Sequence, residues 1–289
     1  MIIDNLEAFE TSLMEDERSS KTIEAYQSDI IQFFDFLEEN NIKEIHNDVL
    51  KKYKNYLLFE KTVPNSDKKG LSPSSVNRKL ISIHRYLEFN EISAKVNPVK
   101  MQRQNFLENV VSKSEIDGIV EEAKAQSDYK AIAIIRTLEL TGMRVSELLQ
   151  LTIHDIYLNE VKIVGKGNKS RLVLIPGTLN EIWIDYYKKE RIFMKKAKEF
   201  DSLFIGQRGP TSRNGIDIII KKYGELAGVN FEKNHAHGYR HGFCKTLDDN
   251  GIPINDIADL AGHSTIETTR IYTRKSKEEL RNVINRINK

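Results

Sequence analysis

Apolar positions in the first hundred residues recur at three- and four-residue steps. Across residues 22–37, Ile23, Tyr26, Ile30, Phe33, Phe34 and Leu37 form one stripe, the inward face of an amphipathic helix. Residues 49–59 repeat the pattern with Leu50, Tyr53, Leu57 and Leu58. Residues 63–71 are polar, contain Pro64 and Gly70, and read as a loop. Ser72 followed by Pro73 marks the start of another helix, with Val76, Leu80, Ile83 and Leu87 on its inner face. Pro98 stops this helical run, and Ser112 with Glu115 three residues later is a capping-box signature for the next. The pattern therefore divides the chain into a helical domain over 1–100, a linker over 101–111 and a second domain over 112–289.

The second domain mixes periods. Residues 132–140 are apolar enough for a buried helix, which breaks at Thr141-Gly142 and restarts over 145–149. The period then shortens to that of strands over 155–158, 161–164 and 171–175, separated by turns at Asn159-Glu160 and at 165–169 and ended by Pro176 and Gly177. Helical patterns resume to the C-terminus. The fold expected is mainly α: an N-terminal helical domain, then an α-rich domain with a small three-stranded antiparallel sheet.

Composition narrows the class. A chain of 289 residues fits two domains at roughly 100–200 residues each. No apolar run is long enough for a membrane span, and the N-terminus lacks the basic start and apolar stretch of a signal peptide. The single cysteine, Cys244, forbids an intramolecular disulfide. The expectation is a soluble cytoplasmic protein. A net charge of +2 excludes a strongly basic nucleic-acid coat, but the charge is uneven. Residues 1–105 hold 15 basic and 17 acidic side chains, and the remainder 29 and 25. Residues 162–171 hold four basic side chains and no acidic one, a local footprint for a phosphate backbone.

Chemistry-bearing residues gather in the second domain. Arg144 follows a glycine turn and opens a helix, where unpaired backbone N–H groups and a guanidinium can grip an anion together. Lys166 sits between glycines at a hairpin tip, near Lys162, Lys169 and Arg171. His235, His237, Arg240 and His241 crowd one short segment; His263 and Tyr272 follow. Each of these alone is equally a solvated or structural residue. Two chemistries compete for the set. His235, His237, His241 and Cys244 have ligand-like side chains, yet their spacing matches no standard zinc pattern, and no acidic cluster suggests a two-metal nuclease. Metal-free phosphoryl transfer needs cations around the phosphorus, a proton donor and a nucleophile. Arg144, Arg240, His237 and His263 could supply the first, Lys166 the second and Tyr272 the third.

In order, Thr141-Gly142-Met143-Arg144, Gly165-Lys166-Gly167, His237-Gly238-Tyr239-Arg240-His241, Gly262-His263-Ser264 and Ile271-Tyr272-Thr273 resemble the catalytic signature of the tyrosine recombinase (phage integrase) family, and its Xer-like branch most. Six functional positions match, at intervals of 22, 71, 3, 23 and 9 residues. The chain departs from the usual pattern at Tyr239, Gly242, Ala261 and Arg274, none of them a catalytic position.

The resemblance implies a SAM-like core-binding domain and a catalytic domain forming a C-shaped clamp on DNA. It implies Tyr272 as nucleophile, giving a 3′-phosphotyrosyl link, with His237 accepting its proton. Arg144, Arg240 and His263 would hold the phosphate, and Lys166 would protonate the leaving 5′-oxygen. Glu147 is a candidate to orient Arg144. No cofactor and no metal are implied. Thr22, Tyr26, Ser75, Arg78, Lys79, Arg85, Lys169, Arg171 and Arg213 are the candidate DNA contacts. The implied partners are double-stranded DNA with paired inverted repeats, and further copies of the chain, dimer to tetramer, with the amphipathic segment 276–287 (Leu280, Val283, Ile284, Ile287) docking in trans. A related second recombinase or an accessory DNA-binding protein are further candidates. The implied setting is the bacterial nucleoid. A type IB topoisomerase and a catalytically inactive DNA-binding accessory protein are the alternatives.

Overall fold

A computed structural model describes residues 5–63, 67–101, 110–165, 170–263, 265–271, 274, 280–281 and 284–285. The chain forms two compact units, residues 1–103 and 104–289, each taken by itself below. No described helix is long and apolar enough to cross a membrane.

The described residues of the first unit form four α-helices: α1 (Leu6–Glu15), α2 (Ser20–Glu39), α3 (Asn47–Phe59) and α4 (Pro73–Phe89). Ser19 caps α2 by accepting the Thr22 N–H, and Ser72 caps α4 by accepting the Ser75 N–H, with Pro73 at the first helical position. The stripes read from the sequence turn inward: Ile30, Phe33, Leu50, Tyr53, Leu57, Val76, Leu80, Ile83 and Leu87 are buried, and Tyr86 joins them. A polar cluster lies among them. Asp29 of α2 is 1% exposed and accepts hydrogen bonds from Arg78 (2.8 and 3.1 Å), Lys79 (2.7 Å) and Ser82 (2.8 Å), all on α4. Two cations and a hydroxyl thus compensate one buried carboxylate and pin α2 to α4.

In the second unit, α5 (Lys113–Ala125) opens with the expected box: Ser112 accepts the Glu115 N–H, and Glu115 accepts the Ser112 N–H at 2.9 Å. The central helix α6 (Tyr129–Thr141) packs against α5, α8 (Gly177–Lys189) and α10 (Ala236–Asp249). Trp183 of α8 is fully buried and donates to the Thr137 hydroxyl at 2.8 Å. Buried Arg191 donates to the carbonyls of Ala197, Phe200, Ser202 and Leu203, tying the coil after α8 into the core.

The expected three-stranded meander is corrected to a two-stranded hairpin, β1 (Glu160–Val164) with β2 (Ser170–Leu174). Asp155–Tyr157 is a single 3₁₀ turn, because the Asp155 carboxylate accepts both the Thr152 N–H (2.7 Å) and its hydroxyl (2.9 Å). That local bonding competes with a sheet ladder. A second pair, β3 (Ile205–Gly206) with β4 (Gly209–Pro210), lies apart from it. The helix expected over 145–149 is one turn, α7 (Val145–Leu148). Helices α9 (Arg213–Leu226), α11 (Ile254–Ala261) and α12 (Ile266–Arg270) also belong to this unit. Most of the segment 276–287 lies outside the described residues.

Candidate active site

Two left-handed glycines frame the site. Gly142, at φ +57°, ends α6, and Gly262, at φ +66°, ends α11. Such φ values strain any residue carrying a Cβ. A Cβ on Gly142 would also lie 2.4 Å from the Phe243 ring. The chain leaving Gly142 is therefore thrown directly into the turn that makes Arg144 the N-cap of α7.

Arg240 joins these two helix ends. Its residue is 1% exposed; one Nη donates to the Gly142 carbonyl at 2.7 Å and the other to the Ala261 carbonyl. The carbonyl ends of helices carry partial negative charge, so a guanidinium is well placed there. Burial, and then the neighbouring Arg144, pull the Arg240 pKa down to about 10 against the opposing pull of Glu147, which leaves it charged at neutral pH.

Arg144 and Arg171 meet on Glu147. The Glu147 carboxylate accepts the Arg144 backbone N–H (2.8 Å) and Nη1 (2.9 Å), and a two-pronged contact from Arg171 (3.2 and 2.8 Å). Arg144 also makes a long 3.5 Å contact to the Gly262 carbonyl, and Arg171 donates to the Leu260 carbonyl at 3.0 Å. Burial pushes the Glu147 carboxyl up, but the hydrogen bonds from Arg171 and the Arg144 backbone, with both positive charges, hold it below its ordinary value. Glu147 is ionised at neutral pH. Three arginines thus converge on the end of α11 with one carboxylate among them.

Histidines line the same end. His235 caps α10, its Nδ1 accepting the Gly238 N–H at 3.1 Å. His237 and His241 follow one turn apart, their rings 4.5 Å from each other at 67°. His263 stands directly after Gly262 and shares a 2.9 Å hydrogen bond with the hydroxyl of buried Thr269 on α12. Burial and then the positive charge of Arg240 lower His237. Burial lowers His241 to about 4, with His237 next among the causes; burial and then Arg240 and Arg144 lower His263 to about 4. At pH 7 all three rings are neutral beside the guanidiniums, an arrangement that attracts an anion while offering imidazole nitrogens.

Cys244 packs against Ile257 and Ala261, and burial pushes its thiol up to about 11. Among the described residues no group of three His, Cys, Asp or Glu side chains is arranged to hold a metal ion. Lys166, Tyr272, Lys169 and Ser264 lie outside the described residues.

Residues 109–279 match the phage integrase family, and residues 6–91 match the phage integrase N-terminal SAM-like domain. The chain belongs to the phage integrase family, the tyrosine recombinases. It is 30% identical over 274 residues to tyrosine recombinase XerD of Staphylococcus epidermidis, covering 91% of this chain and 90% of that protein. The XerD of Rickettsia bellii is 27% identical over 298 residues, covering 95% of each. Among solved structures, XerA recombinase is similar at 25% identity with a TM-score of 0.54, over 99% of this chain and 98% of the other. XerH bound to a palindromic difH substrate, at 21% identity, shares the fold with a TM-score of 0.69 over 92% and 80%.

In this recombinase the candidate DNA contacts fall into distinct settings. Arg78, Arg85 and Arg213 are exposed; Arg85 lies 3.7 Å from Glu88, and Arg213 is the first residue of α9. Thr22 bonds to the Ser19 hydroxyl at 2.8 Å, and Ser75 to the Ser72 hydroxyl at 2.9 Å, each in the first turn of its helix. Tyr26 is half-buried and stacks with Phe9, centroids 6.4 Å apart.

Two candidates are placed differently from the expectation. Lys79 is 8% exposed, its ammonium held between Asp29 and Gln32 (2.9 Å) rather than turned to solvent. Arg171 is turned inward. The hairpin register pairs Ile163 with Arg171 and Val161 with Val173, which puts Arg171 on the same face as these buried residues. Its guanidinium is spent on Glu147 and Leu260.

Sequence reading passed over Asp29, Thr269 and the carbonyls of Leu260 and Ala261. Asp29 carried a signal: it lies three residues after Tyr26 and four before Phe33, inside an apolar stripe. Backbone carbonyls have no side-chain signal at all.

Proposed function

We propose that this recombinase cleaves and rejoins double-stranded DNA at paired inverted-repeat sites, with Tyr272 as nucleophile. The observation that carries the reading is the convergence of Arg144 and Arg240 on the ends of α6 and α11, beside histidines neutral at pH 7. Fixed donors surrounding a developing negative charge are the main device of phosphoryl transfer without a metal.

In this reading the Tyr272 oxygen attacks the scissile phosphorus and the bond from phosphorus to the 5′-oxygen breaks. The tyrosyl proton passes to His237, Lys166 delivers a proton to the departing 5′-oxygen, and a 3′-phosphotyrosyl link holds the strand. Arg144 and Arg240 grip the nonbridging oxygens in a planar fork that lysine does not reproduce. His263 adds a hydrogen bond. Attack by the 5′-hydroxyl of a partner strand reverses these steps and completes exchange, twice in succession through a Holliday junction. Bond energy stays in the phosphotyrosine, so the cycle needs no nucleotide cofactor.

In this reading residues 1–100 are the core-binding domain and residues 112–289 the catalytic domain, joined by a linker over 101–111, most of which lies outside the described residues. Arg78, Arg85 and Arg213 are the exposed cations that this reading assigns to DNA. Further copies of the chain assemble on paired sites, with 276–287 docking onto a neighbour.

The test is a nicked duplex that traps the covalent intermediate, bearing the site that the chain selects from a randomised library. Wild type forms a protein–DNA adduct without divalent metal, and Tyr272→Phe forms none. An adduct that survives Tyr272→Phe, or that requires metal, defeats the reading. Relaxation of supercoiled DNA lacking any such site would favour a topoisomerase instead.

A further inference from the structure

We propose that Arg171 is a positioning residue of the phosphate grip: it holds the Glu147 carboxylate, and through it Arg144, against the C-terminal end of α11. The proposal deepens the strand-exchange reading above and rests on it.

Strand parity sends Arg171 inward, and its side chain is only 15% exposed. Nε and one Nη grip the two oxygens of Glu147, and the other Nη donates to the Leu260 carbonyl. All three guanidinium nitrogens are thereby engaged with protein acceptors. That arrangement holds the groups it touches still. The same Glu147 carboxylate, 1% exposed, accepts both the backbone N–H and the side chain of Arg144. Arg171 therefore sets the plane of the carboxylate that sets the plane of Arg144.

The charge balance has the same consequence. One carboxylate between two guanidiniums leaves positive charge over. Arg171 neutralises Glu147 from the inner side, so Arg144, whose side chain is 46% exposed, keeps its charge for an incoming phosphate. Without Arg171, Glu147 would draw Arg144 to itself alone.

The α11 end is shaped for this contact. A Cβ on Gly262 would lie 2.4 Å from the Arg171 Cδ, so the glycine that turns the chain into His263 also admits the Arg171 stem. Arg171 lies in β2, five residues after Lys166, and it ties the strand behind that hairpin to α7 and to the α11 end.

The test compares Arg171→Lys with wild type on the duplex described above. Lysine keeps the charge and the stem but cannot serve Glu147 in a fork and Leu260 together. DNA affinity and its salt dependence stay as in wild type, whereas losing a phosphate contact would lower the salt slope by about 1. Single-turnover cleavage falls by about 100-fold, the scale expected when a reacting group is displaced by an ångström. The gap narrows to a few-fold on a methylphosphonate at the scissile position, which lacks the nonbridging charge that Arg144 grips. A purely structural defect would be equal on both linkages.

The paired change Arg171→Met with Glu147→Gln removes both buried charges and guards against a folding defect; it binds as wild type and cleaves as slowly as Arg171→Lys. Full cleavage by either variant, equal losses on both linkages, or a reduced salt slope overturns the proposal. Absence of any Tyr272 adduct with wild type would instead defeat the recombination reading itself.

Discussion

The guanidinium of Arg240 donates to the Gly142 carbonyl at 2.7 Å, so a side chain from α10 closes the C-terminal end of α6. The same side chain closes the end of α11 at Ala261. One buried cation thus fixes the relative position of the helix ends from which Arg144 and His263 emerge. Arg240→Lys keeps the charge but gives up the two-ended reach. Cleavage should fall by roughly 10²–10³-fold, and stability by about 1.5–3 kcal/mol for lost charged hydrogen bonds. Urea unfolding alongside the adduct assay checks both, and unchanged cleavage would show that the carbonyl contacts do not matter.

Gly142→Ala tests the turn. Alanine must adopt φ +57°, at a cost of about 1–2 kcal/mol, and its Cβ meets the Phe243 ring at 2.4 Å. The combined loss should exceed the backbone cost alone, and Gly142→Ala with Phe243→Ala should cancel the clash but keep the backbone cost. Strictly additive losses in a double-mutant cycle would mean that the ring yields without cost.

Asp29→Ala strands the Lys79 ammonium in the first unit. Removing one partner of a buried ion pair costs about 3–5 kcal/mol. Half-exposed Arg78 can turn to solvent, but Lys79 at 8% exposure is held within the helix interface. Lys79→Met, which leaves Arg78 and Ser82 on the carboxylate, should cost less. Thermal melting of the intact chain ranks the two, and the reverse order would mean that Asp29 is the burden rather than the anchor.

Acid should destabilise the second unit in two stages. His241 and His263 titrate near 4 when folded, against 6.5 unfolded. The unfolded chain therefore binds more protons between these values, and stability, complete above pH 6.5, falls as pH drops towards 4. Glu147, depressed below its usual 4.5, adds stability that is complete above 4.5 and is lost as pH falls through its folded value. His241→Gln should flatten the first stage and Glu147→Gln the second. Urea midpoints from pH 7 down to well below pH 4 measure both stages; an unchanged slope in His241→Gln would assign the first stage elsewhere.

Local signals were legible wherever one residue type suffices for one conformation. Ser72-Pro73 starts α4, the Ser112–Glu115 box starts α5 and the apolar stripe of α2 turns inward, because caps and helical periodicity need no distant partner. The stretch 155–158 misled because its apolar residues fit a strand, while the Asp155 bonds to Thr152 decide for a turn. Lys79 and Arg171 misled for a related reason. A basic residue reads as surface unless a carboxylate is known to wait inside, and Asp29 and Glu147 lie 50 and 24 residues away.

The order and spacing of Arg144, Lys166, His237, Arg240, His263 and Tyr272 were written in the chain, and with them the family. What the arginines hold was decided only by folding. Three guanidiniums, from the N-cap of α7, from β2 and from α10, meet the carbonyls at the end of α11, and two of these arginines share both oxygens of Glu147. Backbone acceptors carry no sequence signature, and charges buried far from their partners in the chain are tolerable only once tertiary packing has brought those partners within hydrogen-bond distance.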